Sequence, residues 1–130
     1  MMNANELRIN NWVEYEGRYF QLYAIDANMP FLNTAEFGVG VVDYNNIFPI
    51  PLSPEILEKC EGFIKQVGTP NNSKAIYFDF VGYRIYCTDA FCSIHFDAGD
   101  WFPEIRKINN LHTFQNWYYF NTGHELTCKP

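Results

Sequence analysis

Apolar and polar positions alternate in the first third of the chain, recur at helical spacing near residue 55, alternate again after residue 75 and return to helical spacing near the end. Residues 11–15 and 18–26 flank Glu16-Gly17 and predict a β-hairpin with glycine supplying the turn. A two-residue loop sets Tyr15 opposite Arg18 and Val13 opposite Phe20. Val13, Phe20 and Leu22 then share one face, and Trp12, Glu14, Tyr19, Gln21 and Tyr23 the other. Residues 37–44 read as a third strand loosened by Gly38 and Gly40. Ser53, Pro54 and Glu55 open a helix as cap, first-turn proline and dipole partner, with Ile56, Leu57, Cys60, Phe63 and Ile64 as its apolar stripe and Gly62 able to end it early. Residues 67–74 read as a polar loop.

The clearest pattern follows. Residues 75–80, 83–88 and 91–97 predict a three-stranded meander with turns at Val81-Gly82 and Asp89-Ala90. The rows on one face are Ile76–Cys87–Cys92, Phe78–Ile85–Ile94 and Phe80–Tyr83–Phe96, nearly all apolar, and therefore turned to the core. The other face carries Asp79–Arg84–His95 and Tyr77–Tyr86–Ser93. Residues 98–107 read as a loop bearing Trp101 and Phe102. A second helix spans 111–121, capped by Asn109 or Asn110 and closed by Thr122-Gly123, with Leu111, Phe114, Trp117, Tyr118 and Asn121 at helical spacing. Residues 124–128 could add a short final strand. The fold class is α+β: an antiparallel sheet that could roll into a small barrel, a C-terminal three-stranded meander and two covering helices, in a single domain over residues 1–130.

Composition narrows the functions open to this fold. Hydrophobic residues make up 48% of 130 positions and charged residues 18%, enough to bury a core. Aromatics reach 18%, which suits a packed sheet and leaves some rings for a ligand surface. A net charge of -6 disfavours DNA or RNA as the main partner and anionic membrane surfaces alike. No apolar run approaches the roughly 20 residues that span a bilayer, and the polar N-terminus lacks a signal-peptide stretch. A cytoplasmic protein with reduced cysteines is expected. Cys60, Cys87, Cys92 and Cys128 form no C-x-x-C and have no histidine at zinc-site spacing, so neither a metal nor a cofactor is expected. Cys60 reads as a small core residue.

Chemistry concentrates on the polar face of the meander. Arg84, between Asp79 and His95, could hold an anionic group while Tyr77 and Tyr86 stack on a base or ring. Asp97, two residues beyond His95, could orient its imidazole. The plainer reading is a solvated face with an ordinary Asp79–Arg84 ion pair. His112 and His124 read as surface or capping residues. Phosphate-loop, dinucleotide and nucleophile-elbow motifs are absent, so no catalytic residue is assigned.

Three blocks, LRINNWV at 7–13, IPLSPEILEKCEGF at 50–63 and LHTFQNWYYFNTGHEL at 111–126, carry a resemblance. Together they resemble a group of small uncharacterised proteins of Bacteroides-type gut bacteria, their phages and mobile elements. Typical members read L-R-x-G-N-x-V, P-L-T-P-E-I-L-x-K-C-G-F and L-Q-N-L-Y-F-x-L-T-G-x-E-L. Here Asn10 replaces the glycine, Glu61 is inserted and Trp117 stands for leucine. The resemblance implies a phage or mobile-element setting and transfers no catalytic residue.

The expectation is a non-enzymatic cytosolic binding protein, in its most concrete form one that sequesters a small anionic host nucleotide signal, with a pocket that two copies of the chain could share. A second expectation is a protein–protein module that meets a host protein through Trp12, Tyr19 and Tyr23. A third is a small nucleotide hydrolase using His95 with Asp97.

Overall fold

A computed structural model describes residues 2, 4–25, 30–34 and 38–130. The N-terminal hairpin pairs β1 (Trp12–Tyr15) with β2 (Arg18–Ile25) in the expected register, Val13 against Phe20 and Tyr15 against Arg18. Glu16 and Gly17 both have positive φ, 50° and 75°, the conformation of a tight hairpin turn. The strand expected at 37–44 is the shorter β4 (Gly38–Val41), and it pairs with a strand the sequence reading did not anticipate, β3 (Pro30–Thr34), which in turn pairs with β2. Asp26 and Phe37, which the sequence placed at the ends of these strands, lie outside the described residues. Strands β1 to β4 and β5 (Ile47–Phe48) form a five-stranded sheet in the order β4-β3-β2-β1-β5. Val13, Leu22, Leu32 and Ile47 fill its buried face.

The first helix is much shorter than its apolar stripe suggests. Ser53 accepts a capping bond from the Ile56 N–H at 3.3 Å and Pro54 occupies the first turn, yet α1 spans only Pro54–Leu57. Tertiary pairing overrides the local signal: the Glu61 N–H donates to the Thr127 carbonyl, and Cys60 bridges Cys128. The expected final strand at 124–128 reduces to that bridge. Gly62, at φ 83°, redirects the chain, and Ile64 enters a strand.

That strand, β6 (Ile64–Thr69), and β7 (Asn72–Phe80) replace the polar loop expected at 67–74. β8 (Tyr83–Cys87) and β9 (Cys92–Phe96) follow, and β10 (Glu104–Ile108) occupies part of the stretch expected as a loop. The sheet therefore has five strands, β10-β9-β8-β7-β6, with the three expected ones at its centre. Ile76 pairs with Cys87, Phe78 with Ile85 and Phe80 with Tyr83, and the next ladder sets Arg84 opposite His95 and Cys87 opposite Cys92. The two sheets are separate, and among the described residues neither closes into a barrel. Among those residues no helix is long and apolar enough to cross a membrane.

Helix α2 (Leu111–Thr122) ends at Gly123, whose φ of 74° provides the left-handed cap. Asn110 occupies the cap position at its start without a side-chain capping bond. Leu111, Phe114 and Trp117 bury themselves against Phe78, Phe80, Ile85 and Ile94 of the second sheet, and Phe80 meets Phe114 edge-on at 5.6 Å. The opposite side of α2 is polar and meets the N-terminus. Gln115, 1% exposed, accepts from the Trp12 N–H at 2.8 Å and donates to the Asn10 carbonyl at 3.0 Å. Asn116 accepts from the side chains of Asn11 and Arg8 at 2.9 and 3.2 Å and donates to the Glu6 carbonyl. Arg8 also pairs with Glu125 and lies over the Tyr119 ring. The first and last resembled blocks thus meet here. Asn10, standing where the resembled pattern has glycine, has φ 78°, a backbone region that glycine and asparagine tolerate best.

Gln115→Ala leaves two main-chain groups without their side-chain partner at a part-buried junction, so chemical denaturation should show a loss of about 1–3 kcal/mol. A change within experimental error would mean that water replaces the amide there.

Candidate functional site

Alternation on β7, β8 and β9 places Tyr77, Asp79, Arg84, Tyr86, Ser93 and His95 on the outer face of the second sheet, and the structure brings these residues together. Arg84 forks onto Asp79, with Nε to Oδ1 at 2.7 Å and Nη2 to Oδ2 at 3.3 Å, and Nη1 donates to the Tyr86 hydroxyl at 3.3 Å. Its guanidinium carbon lies 4.3 Å from the Tyr77 ring centroid and 3.8 Å from that of Phe102. Partial burial by itself would lower the Arg84 pKa, but the hydrogen bonds to Asp79 and Tyr86 and the Asp79 charge outweigh it and hold the group firmly protonated. The cation is neutralised in place and roofed by rings.

His95 is equally committed. Nδ1 lies 2.8 Å from the Phe102 carbonyl and therefore carries the proton, while Nε2 lies 2.9 Å from the Ser93 hydroxyl and, in the neutral ring, accepts from it. Tyr86 meets the imidazole edge-on at 4.8 Å. The expected orienting role of Asp97 is not realised: its carboxylate caps the Gly99 N–H at 2.9 Å, and a main-chain carbonyl orients the imidazole instead. The Ser93–His95 contact has the outline of a nucleophile and its base, but Ser93 is 5% exposed, which withholds the hydroxyl from a substrate. Among the described residues no group of three or more metal-ligating side chains converges.

Phe102 is the residue that sequence reasoning missed at this site. Its ring covers Arg84 and its carbonyl holds His95, yet it sits on an irregular segment whose return over the sheet no periodicity announces. Ser93 was readable, two residues before His95 on one strand.

In the second candidate patch the three rings differ in exposure, Trp12 being half-buried. Trp12 packs against the main core and lines a cleft with Asn10, Gln21 and Leu126; its Nε1 finds no acceptor among the described residues. Tyr19 and Tyr23 are exposed, leaving a two-ring remnant of the expected three.

His112 is buried rather than a surface or capping residue, and His124 is exposed. The His112 Nε2 lies 3.7 Å from a Glu6 carboxylate oxygen, and Nδ1 has no partner among the described residues. Burial pushes its pKa below the ordinary 6.5, and Glu6 offsets this only in part. The unfolded ring takes a proton near pH 6.5, whereas the folded ring does so only at lower pH. The unfolded state therefore binds more protons in that window, and stability is lost as pH falls from 6.5 through the depressed folded value. Denaturation midpoints measured on either side of pH 6.5 should show a smaller acid loss in His112→Gln than in the parent; equal losses would remove His112 as the cause.

The chain matches no protein-family profile, no curated protein and no solved structure.

Proposed function

We propose that the protein is a non-enzymatic binding module and that the outer face of its second sheet is the contact surface, docking on a host protein. The carrying observation is the neutralised Arg84 held among Tyr77, Phe102 and Tyr86. Aromatic rings and arginine are enriched where protein surfaces meet, because they offer large contact areas at small entropic cost. With its charge matched by Asp79, this arginine can be covered without leaving an unpaired ion. The aromatic residues are already oriented by one another, Tyr77 and Tyr86 lying 5.1 Å apart, so little side-chain freedom is lost on docking. The resemblance implies a phage or mobile-element setting for such a module, which would act inside a bacterial host cell.

A second reading keeps the sequestered nucleotide signal. Three of the five guanidinium N–H groups of Arg84 have acceptors among the described residues, which leaves donors for a phosphate, and Tyr77 and Tyr86 could stack on a base. A phosphate must then compete with a bidentate carboxylate, and for that reason the protein partner is placed first.

Affinity capture from host lysate, followed by titration of the recovered partner, separates the two. A stoichiometric protein whose binding falls about tenfold or more in Tyr77→Ala and Arg84→Ala, but not in Tyr23→Ala, supports the docking surface. Calorimetry with cyclic and linear nucleotides that shows heat abolished by Arg84→Ala turns the reading to the nucleotide. Binding indifferent to both substitutions removes this face from the function.

A further inference from the structure

The four cysteines of the chain stand in two pairs, one across neighbouring strands and one at an isolated bridge. Cys87 and Cys92 are direct partners on β8 and β9, and their sulfurs lie 3.3 Å apart, Cys92 donating to Cys87. The Thr88 N–H donates to the Phe91 carbonyl at one end of this ladder and the Asp97 N–H to the Gly82 carbonyl at the other. Hydrogen-bonded and open positions alternate between those ends, so Cys87 and Cys92 occupy an open position, where facing side chains come closest. Such a separation suits a disulfide without backbone movement. Cys92 is 2% exposed, while Cys87 is partly exposed and lines a cleft of ≈ 770 Å³ with Ser53, Glu55, Lys74, Ile76 and Thr88. The other pair, Cys60 and Cys128, is buried, and both thiols donate to the Ile56 carbonyl, at 3.5 and 3.7 Å.

We propose that Cys87 and Cys92 form a dithiol modification site that reacts with small disulfides of the glutathione class, with Cys87 as the entry sulfur and Cys92 as the resolving one. Access decides the order, since only Cys87 of the two meets the cleft. The Cys87 thiolate attacks one sulfur of the small disulfide, forming a mixed disulfide and expelling one thiolate, which takes up a proton. The Cys92 thiolate then attacks the Cys87 sulfur, breaks the mixed disulfide and expels the second thiolate, again protonated. Two protein thiols are oxidised to one disulfide, and one small disulfide is reduced to two thiols. The hydrogen bond shared by the two thiols pushes the Cys87 pKa up, with burial adding to it, and pulls the Cys92 pKa down. Access rather than acidity therefore makes Cys87 the entry sulfur, while the more acidic Cys92 is suited to resolve the mixed disulfide. The product ties β8 to β9 beside the Thr88–Phe91 turn and is reversed by excess thiol. This site lies on the core side of the sheet and is independent of the docking face.

The test incubates the folded full-length chain with oxidised glutathione, quenches with acid at intervals, alkylates the remaining thiols and maps them by peptide mass spectrometry. A Cys87–Cys92 disulfide should form first, while Cys60 and Cys128 stay alkylatable. Cys92→Ser should stall as a glutathione adduct on Cys87, and Cys87→Ser should leave Cys92 largely unreacted. A wild-type chain that accumulates the adduct on Cys87 without resolving it overturns the proposal. So does loss of all four thiols at one rate, which would mean reaction through unfolding; this reading of the wild-type chain stands even if a serine variant fails to fold.

Discussion

Gln115 connects the two halves of the molecule. The hairpin begins at residues whose main-chain groups face a buried helix surface, where an unmet N–H or carbonyl costs as much as a lost hydrogen bond. One amide side chain meets both the Trp12 N–H and the Asn10 carbonyl, and Asn116 beside it engages Asn11, Arg8 and Glu6. The same helix sends Leu111, Phe114 and Trp117 in the opposite direction, into the core of the second sheet. Hydrophobic burial holds α2 to the second sheet, while hydrogen bonding, with Trp12 packed on the same core, holds it to the hairpin. Since hydrogen bonds are directional and apolar contacts are not, the polar junction sets the register between the halves.

Helix α2 covers one face of the second sheet and leaves the outer face free of it. That face resolves a conflict between charge and burial. Arg84 is partly covered by Tyr77 and Phe102, which an unpaired cation would resist, and Asp79 supplies the compensating charge in fork geometry. The paired cation is thereby held among aromatic rings that also orient one another. His95 fits the same description, because both ring nitrogens already have partners. The proposed dithiol lies on the apolar side of the same sheet, where strand pairing brings Cys87 and Cys92 together and Cys87 lines the neighbouring cleft.

Alternating side chains and glycine turns, both local properties, made the hairpin registers readable. Val13 opposite Phe20 and Asp79 beside Arg84 and His95 followed from two-residue turns, because a slip of one residue would send every apolar side chain to the wrong face. The position of α2 followed from its apolar spacing and from Gly123. Local signals also set the start of α1, through Ser53 and Pro54.

Where α1 ends was not local. Its stripe through Cys60 and Ile64 is helical in spacing, but the Thr127 carbonyl takes the Glu61 N–H and Cys60 turns to meet Cys128, 68 residues away by number (128 less 60). Residues 67–69 and 104–107 are polar enough to pass for loops, and they become strand because β7 and β9 offer unpaired edges, while residues 72–74 extend β7 itself. Phe102 reaches Arg84 and His95 only through the path of the segment that carries it. The sequence by itself determined which residues share a face within each hairpin, since that depends on neighbours along the chain. The tertiary structure alone decided which segments extend the sheets, where α1 stops and what lies over Arg84, since those depend on hydrogen-bonding groups contributed from far along the chain.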